Sequence, residues 1–235
     1  WFFDLSIFGL IEFENEVLQK LFIIIFSILC LFFLLISFNL IDGMNGLLLF
    51  YTFLCIINYQ FISYYFLNYF DPILLFLNIS LFPCLIFKFP YAKFFMGDGA
   101  SYSVAFIVGF YAFHLHSQST LTVNEWYYAC LLSYPVMELL FSFSRRMIDN
   151  HNSVFKPDKL HLHTILYQYL QDNFNLSIKL SNPITTIIII STLIIFNILT
   201  IYFLFNNQSF LKYLFFFFCS FYIINYFFLK NYNDR

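Results

Sequence analysis

The stretch LFIIIFSILCLFFLLISFNLIDGMNGL, residues 21–47, carries no charge between Lys20 and Asp42 and then turns abruptly polar. As an α-helix such a run crosses the roughly 30 Å hydrocarbon core of a bilayer, and a helix satisfies its own amides and carbonyls there. The pattern repeats along the chain. Spans are expected near Leu18–Phe38, Leu47–Leu67, Ile73–Phe87, Ser101–His116, Glu125–Ser144, Ile184–Phe205 and Phe210–Leu229, with Phe2–Ile11 as the remnant of an earlier one. The expected fold is therefore all-α, a polytopic membrane helical bundle of about seven transmembrane helices. No repeat or composition break divides it, so residues 1–235 read as one membrane-embedded domain.

Composition agrees. Hydrophobic residues make up 61% of the chain and charged residues 10%, whereas roughly a quarter of an ordinary soluble domain is charged. The net charge of −2 and the lack of a basic cluster argue against a nucleic-acid partner. The five cysteines stand singly in apolar runs with no CxxC spacing, which argues against a disulfide framework or metal site. The 38 Phe and the scarcity of Gly and Pro follow nucleotide bias as readily as function. Trp1 stands first with no cleavable signal before the first span, and the chain reads as lacking an N-terminal portion.

Three polar islands interrupt the apolar runs: Asn39–Gly46, the segment around Gly97-Asp98-Gly99, and Arg145–His163. Each follows an odd-numbered span, so all three fall on one side. Lys88, Lys93, Arg145, Arg146, Lys156, Lys159, Lys179, Lys230 and Arg235 share that side, and only Lys20 and Lys212 take the other. The excess of positive charge makes the island side cytoplasmic. Glu12, Glu14, Glu16, Asp71 and Glu125 lie opposite. In the longest loop Pro157-Asp158 can open a short helix, and Leu160, Leu162, Ile165, Leu166 and Tyr169 recur at near-helical spacing, which predicts an amphipathic helix at the membrane surface.

Asn39, Asp42 and Asn45 recur every three residues and project from nearly one face of a helix end, with Gly43 and Gly46 allowing close backbone approach. That face can bind a ligand or can simply cap free amides. Asp98, between glycines at the mouth of a span, suits Mg²⁺, which takes one or two protein carboxylates and leaves its other positions to water and phosphates. Lys93 can meet a phosphate or anchor the span, and Phe94 and Phe95 can stack on a base or pack. The third island holds Arg145, Arg146, His151, Lys156, Asp158, Lys159, His161 and His163, whose histidine and arginine donors suit a phosphate. His161 and His163 lack the i, i+4 spacing of a helical zinc site. His114 and His116 lie at the opposite face, where a structural role is expected. Glu138 falls inside a predicted span and requires a partner, for which Arg145 or Arg146 is within reach.

Taken in order, these motifs resemble the polyprenyl-phosphate N-acetylhexosamine-1-phosphate transferases (glycosyltransferase family 4), which include enzymes that start O-antigen in lipopolysaccharide and other cell-wall polymers. Asn39-Leu-Ile-Asp42-Gly43-Met-Asn45-Gly46-Leu47 is similar to N-x-x-D-G-x-D-G-L. Pro90-Tyr-Ala92-Lys93-Phe-Phe95-Met96-Gly97-Asp98 is similar to P-x-A-K-x-F-M-G-D, and Pro157-Asp158-Lys-Leu-His161-Leu-His163 to P-D-x-x-H-L-H-H. Pro135-Val-Met-Glu138 followed by Arg145-Arg146 matches the acidic residue and basic pair ahead of the histidines.

The resemblance implies transfer of a sugar 1-phosphate from a UDP-N-acetylhexosamine to polyprenyl (undecaprenyl) phosphate, with release of UMP. It implies Mg²⁺, with Mn²⁺ as an alternative, a multi-pass protein of the cytoplasmic (inner) membrane whose active site faces the cytoplasm, and an assembly that extends to a homodimer. By matching positions Asp98 would hold the metal, Asp42, His161 and His163 would be catalytic, and Asn39, Asn45, Lys93, Phe95, Arg145 and Arg146 would contact substrate.

The chain departs from the pattern at Asn45, where the family has aspartate, at Ala100, at Thr164 and at Lys88, where many members carry asparagine. It also lacks any adjacent Asp pair, a motif the family holds on an earlier loop. Two other readings follow: an inactive membrane homologue, or a transporter that uses Glu138 as a coupling carboxylate.

Overall fold

The computed structural model describes residues 16–119, 122–148 and 160–233. Among these, nine α-helices and no strands occur: α1 Glu16–Ile41, α2 Leu47–Leu67, α3 Pro72–Lys88, α4 Gly97–Ser119, α5 Glu125–Leu131, α6 Ser133–Ile148, α7 Leu162–Phe174, α8 Ile178–Asn206 and α9 Phe210–Asn233. The all-α membrane bundle expected from the sequence is what forms. Four helices are long and apolar enough to cross a membrane, namely α1, α2, α8 and α9. The expected third span is the shorter apolar helix α3, and the fourth, α4, is long but carries Asp98, His114, His116 and several serines.

The expected fifth span, Glu125–Ser144, is not one helix. It breaks between Leu131 and Ser133, because Pro135 has no amide hydrogen to give the Leu131 carbonyl. That carbonyl instead accepts from the buried Tyr51 hydroxyl at 2.6 Å. Ser133 Oγ donates to the Cys130 carbonyl at 2.7 Å and so closes the same break.

Packing follows from small residues and satisfied polar groups. A Cβ on Gly109 of α4 would lie 2.6 Å from Leu31 and 2.8 Å from Leu34, so α1 and α4 touch where the side chain is absent. Deep in the bundle Asn58 of α2 and Asn197 of α8 exchange amide hydrogen bonds of 3.2 and 3.0 Å, and Tyr127 of α5 donates to Asn58 Oδ1 at 2.7 Å. In an apolar surround these groups need each other, so the cluster ties three helices together. Phe and Ile side chains on the outward faces of α1 and α9 are exposed, as lipid-facing surfaces are.

The amphipathic helix of the long loop is α7. His161 stands at its N-cap position without a side-chain cap bond, and Ile165 is buried with Tyr226 and Leu229 of α9. It therefore packs on α8 and α9. Its expected opening at Pro157-Asp158 lies outside the described residues, as do Phe2–Ile11, Glu12, Glu14, His151, Lys156, Lys159 and Arg235.

Candidate active site

Helix alternation brings the end of α1, the α3–α4 connection and the start of α7 to one end of the bundle. α1 stops at Ile41, and the chain turns through Asp42–Gly46 into α2, with Gly46 at φ +78. A Cβ there would press 3.0 Å from Phe89 Cβ in a conformation that L side chains avoid, so glycine is required.

The face formed by Asn39, Asp42 and Asn45 meets the α3–α4 segment residue by residue. Asn39 Nδ2 donates to Asp98 Oδ1 at 3.0 Å and to Ser101 Oγ at 3.2 Å. Asp42 Oδ1 accepts from the Lys88 ammonium in an ion pair. Asn45 Nδ2 donates to the Pro90 carbonyl at 2.7 Å. Lys88 is only 4% exposed, at the last turn of α3. Partial burial pushes the Asp42 carboxyl above its usual range; the Lys88 hydrogen bond and charge oppose this, and the nearby Asp98 charge adds to it. Asp98 stands exposed in the first turn of α4, where the helix dipole favours its charge.

The third island reaches the first through histidine. His161 Nδ1 lies 3.2 Å from Glu138 Oε2 and His163 Nδ1 3.4 Å from Glu138 Oε1. The rings stack with centroids 5.4 Å apart and planes 4° from parallel. Ser142 Oγ is 3.2 Å from His161 Nδ1, and Tyr134 OH is 3.5 Å from His163 Nδ1. One fully buried carboxylate thus holds both rings by the same nitrogen and turns each Nε2 away from itself. His163 Nε2 lies 3.0 Å from the point a Cβ on Gly43 would occupy.

This corrects the partner expected for Glu138, which is histidine and not arginine. Arg145 instead donates from Nη2 to the Leu160 carbonyl at 3.4 Å and lies 5.9 Å from the centroid of the Tyr226 ring. It faces the entrance of α7. A guanidinium is long enough to choose, and two buried imidazoles already satisfy the carboxylate. Arg146 is half-buried on α6, Lys93 is exposed, and Phe95 is 91% exposed on the α3–α4 connection.

Asn182 and Thr186 went unnoticed in the sequence. Asn45 N donates to Asn182 Oδ1 at 2.7 Å, and Thr186 Oγ1 donates to the Asn45 carbonyl at 3.0 Å. The signal was present as two polar residues four apart, on one face, opening an apolar helix.

The family model described as glycosyl transferase family 4 matches residues 2–116. Over that stretch, just under half of the chain, the sequence is similar to glycosyl transferase family 4. The glycosyl transferase match contains the first two islands, and the fold brings His163, which lies beyond it and is held by Glu138, against Gly43 of the first. No curated protein and no solved structure matches the chain. The family supports a sugar-phosphate transferase role, and the membrane helices suit a membrane lipid as acceptor.

Proposed function

We propose that the chain transfers N-acetylhexosamine 1-phosphate from a UDP-sugar to polyprenyl phosphate at the cytoplasmic side of the inner membrane, as an initiating step of cell-surface polysaccharide synthesis. The observation that supports this is the convergence of Asp98, the Asp42–Lys88 pair and the Glu138-held histidines at one end of an apolar bundle. A phosphate oxygen of the lipid attacks the phosphorus that carries the sugar. A new P–O bond forms, the diphosphate bridge breaks, and UMP leaves with the electron pair.

Phosphoryl transfer of this kind depends on positioning and on stabilised charge. His163 Nε2 faces Gly43 of the first island and would steady a phosphate oxygen, with His161 stacked beside it, while exposed Phe95 would lie against the uracil. Among the described residues no three His, Cys, Asp or Glu side chains are grouped to hold a metal. Mg²⁺ does not need such a group when substrate phosphates complete its shell. Asp98 fits that demand, being exposed, ionisable and fixed through one oxygen by Asn39, whereas Asp42 is already committed to Lys88. Bound there, Mg²⁺, or Mn²⁺ in its place, would neutralise the donor diphosphate.

The test is UMP release by membranes containing the full reading frame, given Mg²⁺, undecaprenyl phosphate and a panel of UDP-sugars. Release with an N-acetylhexosamine donor, lost in Asp98→Asn, is expected. No release with any donor overturns the proposal.

A further inference from the structure

Asn45 stands where the resembled motif has aspartate, and three of its four polar atoms are engaged within the protein. Its amide N–H meets Asn182 Oδ1 at 2.7 Å, its carbonyl accepts from Thr186 Oγ1 at 3.0 Å, and its side-chain Nδ2 donates to the Pro90 carbonyl at 2.7 Å. Asn182 and Thr186 are one helical turn apart on α8 and grip a single residue at both of its backbone groups. Pro90 lies two residues past Lys88 and eight before Asp98, so the side-chain bond sets how far the α3–α4 connection stands from the turn that carries Asp42.

The chemistry of this bond selects an amide. A backbone carbonyl accepts only, and an ionised carboxylate has no hydrogen to give. With aspartate at position 45, two oxygens would meet at hydrogen-bonding distance and repel. α8 lies outside residues 2–116, so it supports the site from beyond the matched segment.

We propose that Asn45 is a positioning residue, locked to α8 by Asn182 and Thr186 and to the α3–α4 connection by Pro90, and that it sets the spacing at which Asp42, Lys88 and Asp98 face substrate. This rests on the transferase reading for its consequence in activity, but not for its geometry. It also separates Asn45 from the substrate-contacting role that the motif alone would assign.

The experiment compares wild type, Asn45→Asp, Asn182→Leu, Asn182→Asp, Thr186→Val and Thr186→Ser. Each is followed by UMP release across pH, by Mg²⁺ titration and by thermal unfolding in detergent. In Asn45→Asp the turnover relative to wild type falls about tenfold near neutral pH, the worth of one such hydrogen bond. It recovers as pH falls toward about 4, where an ordinary aspartate carboxyl gains a proton to donate. The titratable groups on the elements packed against that carboxyl are Asp42, Lys88, Tyr91 and Lys93, Asp98 on α4, His163 on α7 and Lys179 on α8, and taking the ratio to wild type at each pH removes what they contribute. Asn182→Asp and Thr186→Ser keep their bonding atoms and retain turnover; Asn182→Leu and Thr186→Val lose it, with the loss in kcat and not in KM.

A pH-independent ratio overturns the proposal. So does an Asn45→Asp enzyme that works at lower Mg²⁺ than wild type, the mark of a metal ligand. If the wild type releases no UMP with any donor, the transferase reading fails alone. The tie is then still decided by unfolding: Asn45→Asp melts below wild type near neutral pH and approaches it on acidification, and equal melting at every pH sinks it.

Discussion

Asn39 Nδ2 bridges Asp98 Oδ1 and Ser101 Oγ, at 3.0 and 3.2 Å, joining the last turn of α1 to the first turn of α4 across nearly sixty residues of chain. It fixes the carboxylate on which the proposed chemistry turns. Asp98→Asn is expected to abolish UMP release while leaving the unfolding temperature close to wild type, because an exposed amide can still accept from Asn39. Asn39→Leu should weaken Mg²⁺ dependence and turnover together, read by titrating the metal at saturating donor.

Lys88→Met leaves the Asp42 carboxylate without its cation. Loss of one partner from a buried pair costs ~3–5 kcal/mol, and the 16% exposure of the Asp42 side chain brings the expectation down to ~1–2 kcal/mol. Lys88→Met combined with Asp42→Asn should regain most of that stability, measured by unfolding in detergent.

The same pair gives a pH signature. Burial raises the Asp42 pKa, so its neutral form is favoured in the folded chain, and the stability tied to it is full below the ordinary carboxylate range and declines as pH rises through the raised value. Lys88 opposes that rise. In Lys88→Met the decline should therefore move to higher pH, and in the double variant it should vanish. Melting curves across pH separate the three proteins.

Gly43→Ala places a methyl group 3.0 Å from His163 Nε2. The backbone there tolerates alanine, so the unfolding temperature should change little. The imidazole must give way, and turnover should fall several-fold. Gly43→Val should fall further, and equal turnover in all three would show that His163 does not work from this position.

Glu138→Gln keeps the shape between His161 and His163 but replaces one acceptor oxygen with a donor. One ring must then move its proton to Nε2, turn over or lose its bond. By analogy with other carboxylates that orient histidine, turnover should drop by at least ~10². Uptake measurements on the same variant test the transporter reading, which predicts lost transport where the transferase reading predicts lost UMP.

How far the sequence could be read varies from residue to residue. Charge-free runs marked α1, α2, α8 and α9 because length and apolarity are local properties that a bilayer selects directly. The three-residue spacing of Asn39, Asp42 and Asn45 correctly placed them on one face. What covers that face was beyond it: spacing says which side chains look the same way, and the crossing of α1, α3 and α4 says that they look at Asp98, Lys88 and Pro90. The break after Leu131 was signalled by Pro135, yet its repair depends on a tyrosine eighty residues earlier in the chain.

By itself, then, the sequence determined a helical membrane protein with three polar islands at helix ends, since hydrophobic runs and motif order are written along one dimension. Only the tertiary structure decided which charges meet. Glu138 chose two histidines over the arginines nearer in sequence, and α8 was drawn into the site through Asn182 and Thr186. In an apolar interior every buried polar group must find a partner, and helix packing, not sequence distance, decides which partner is within reach.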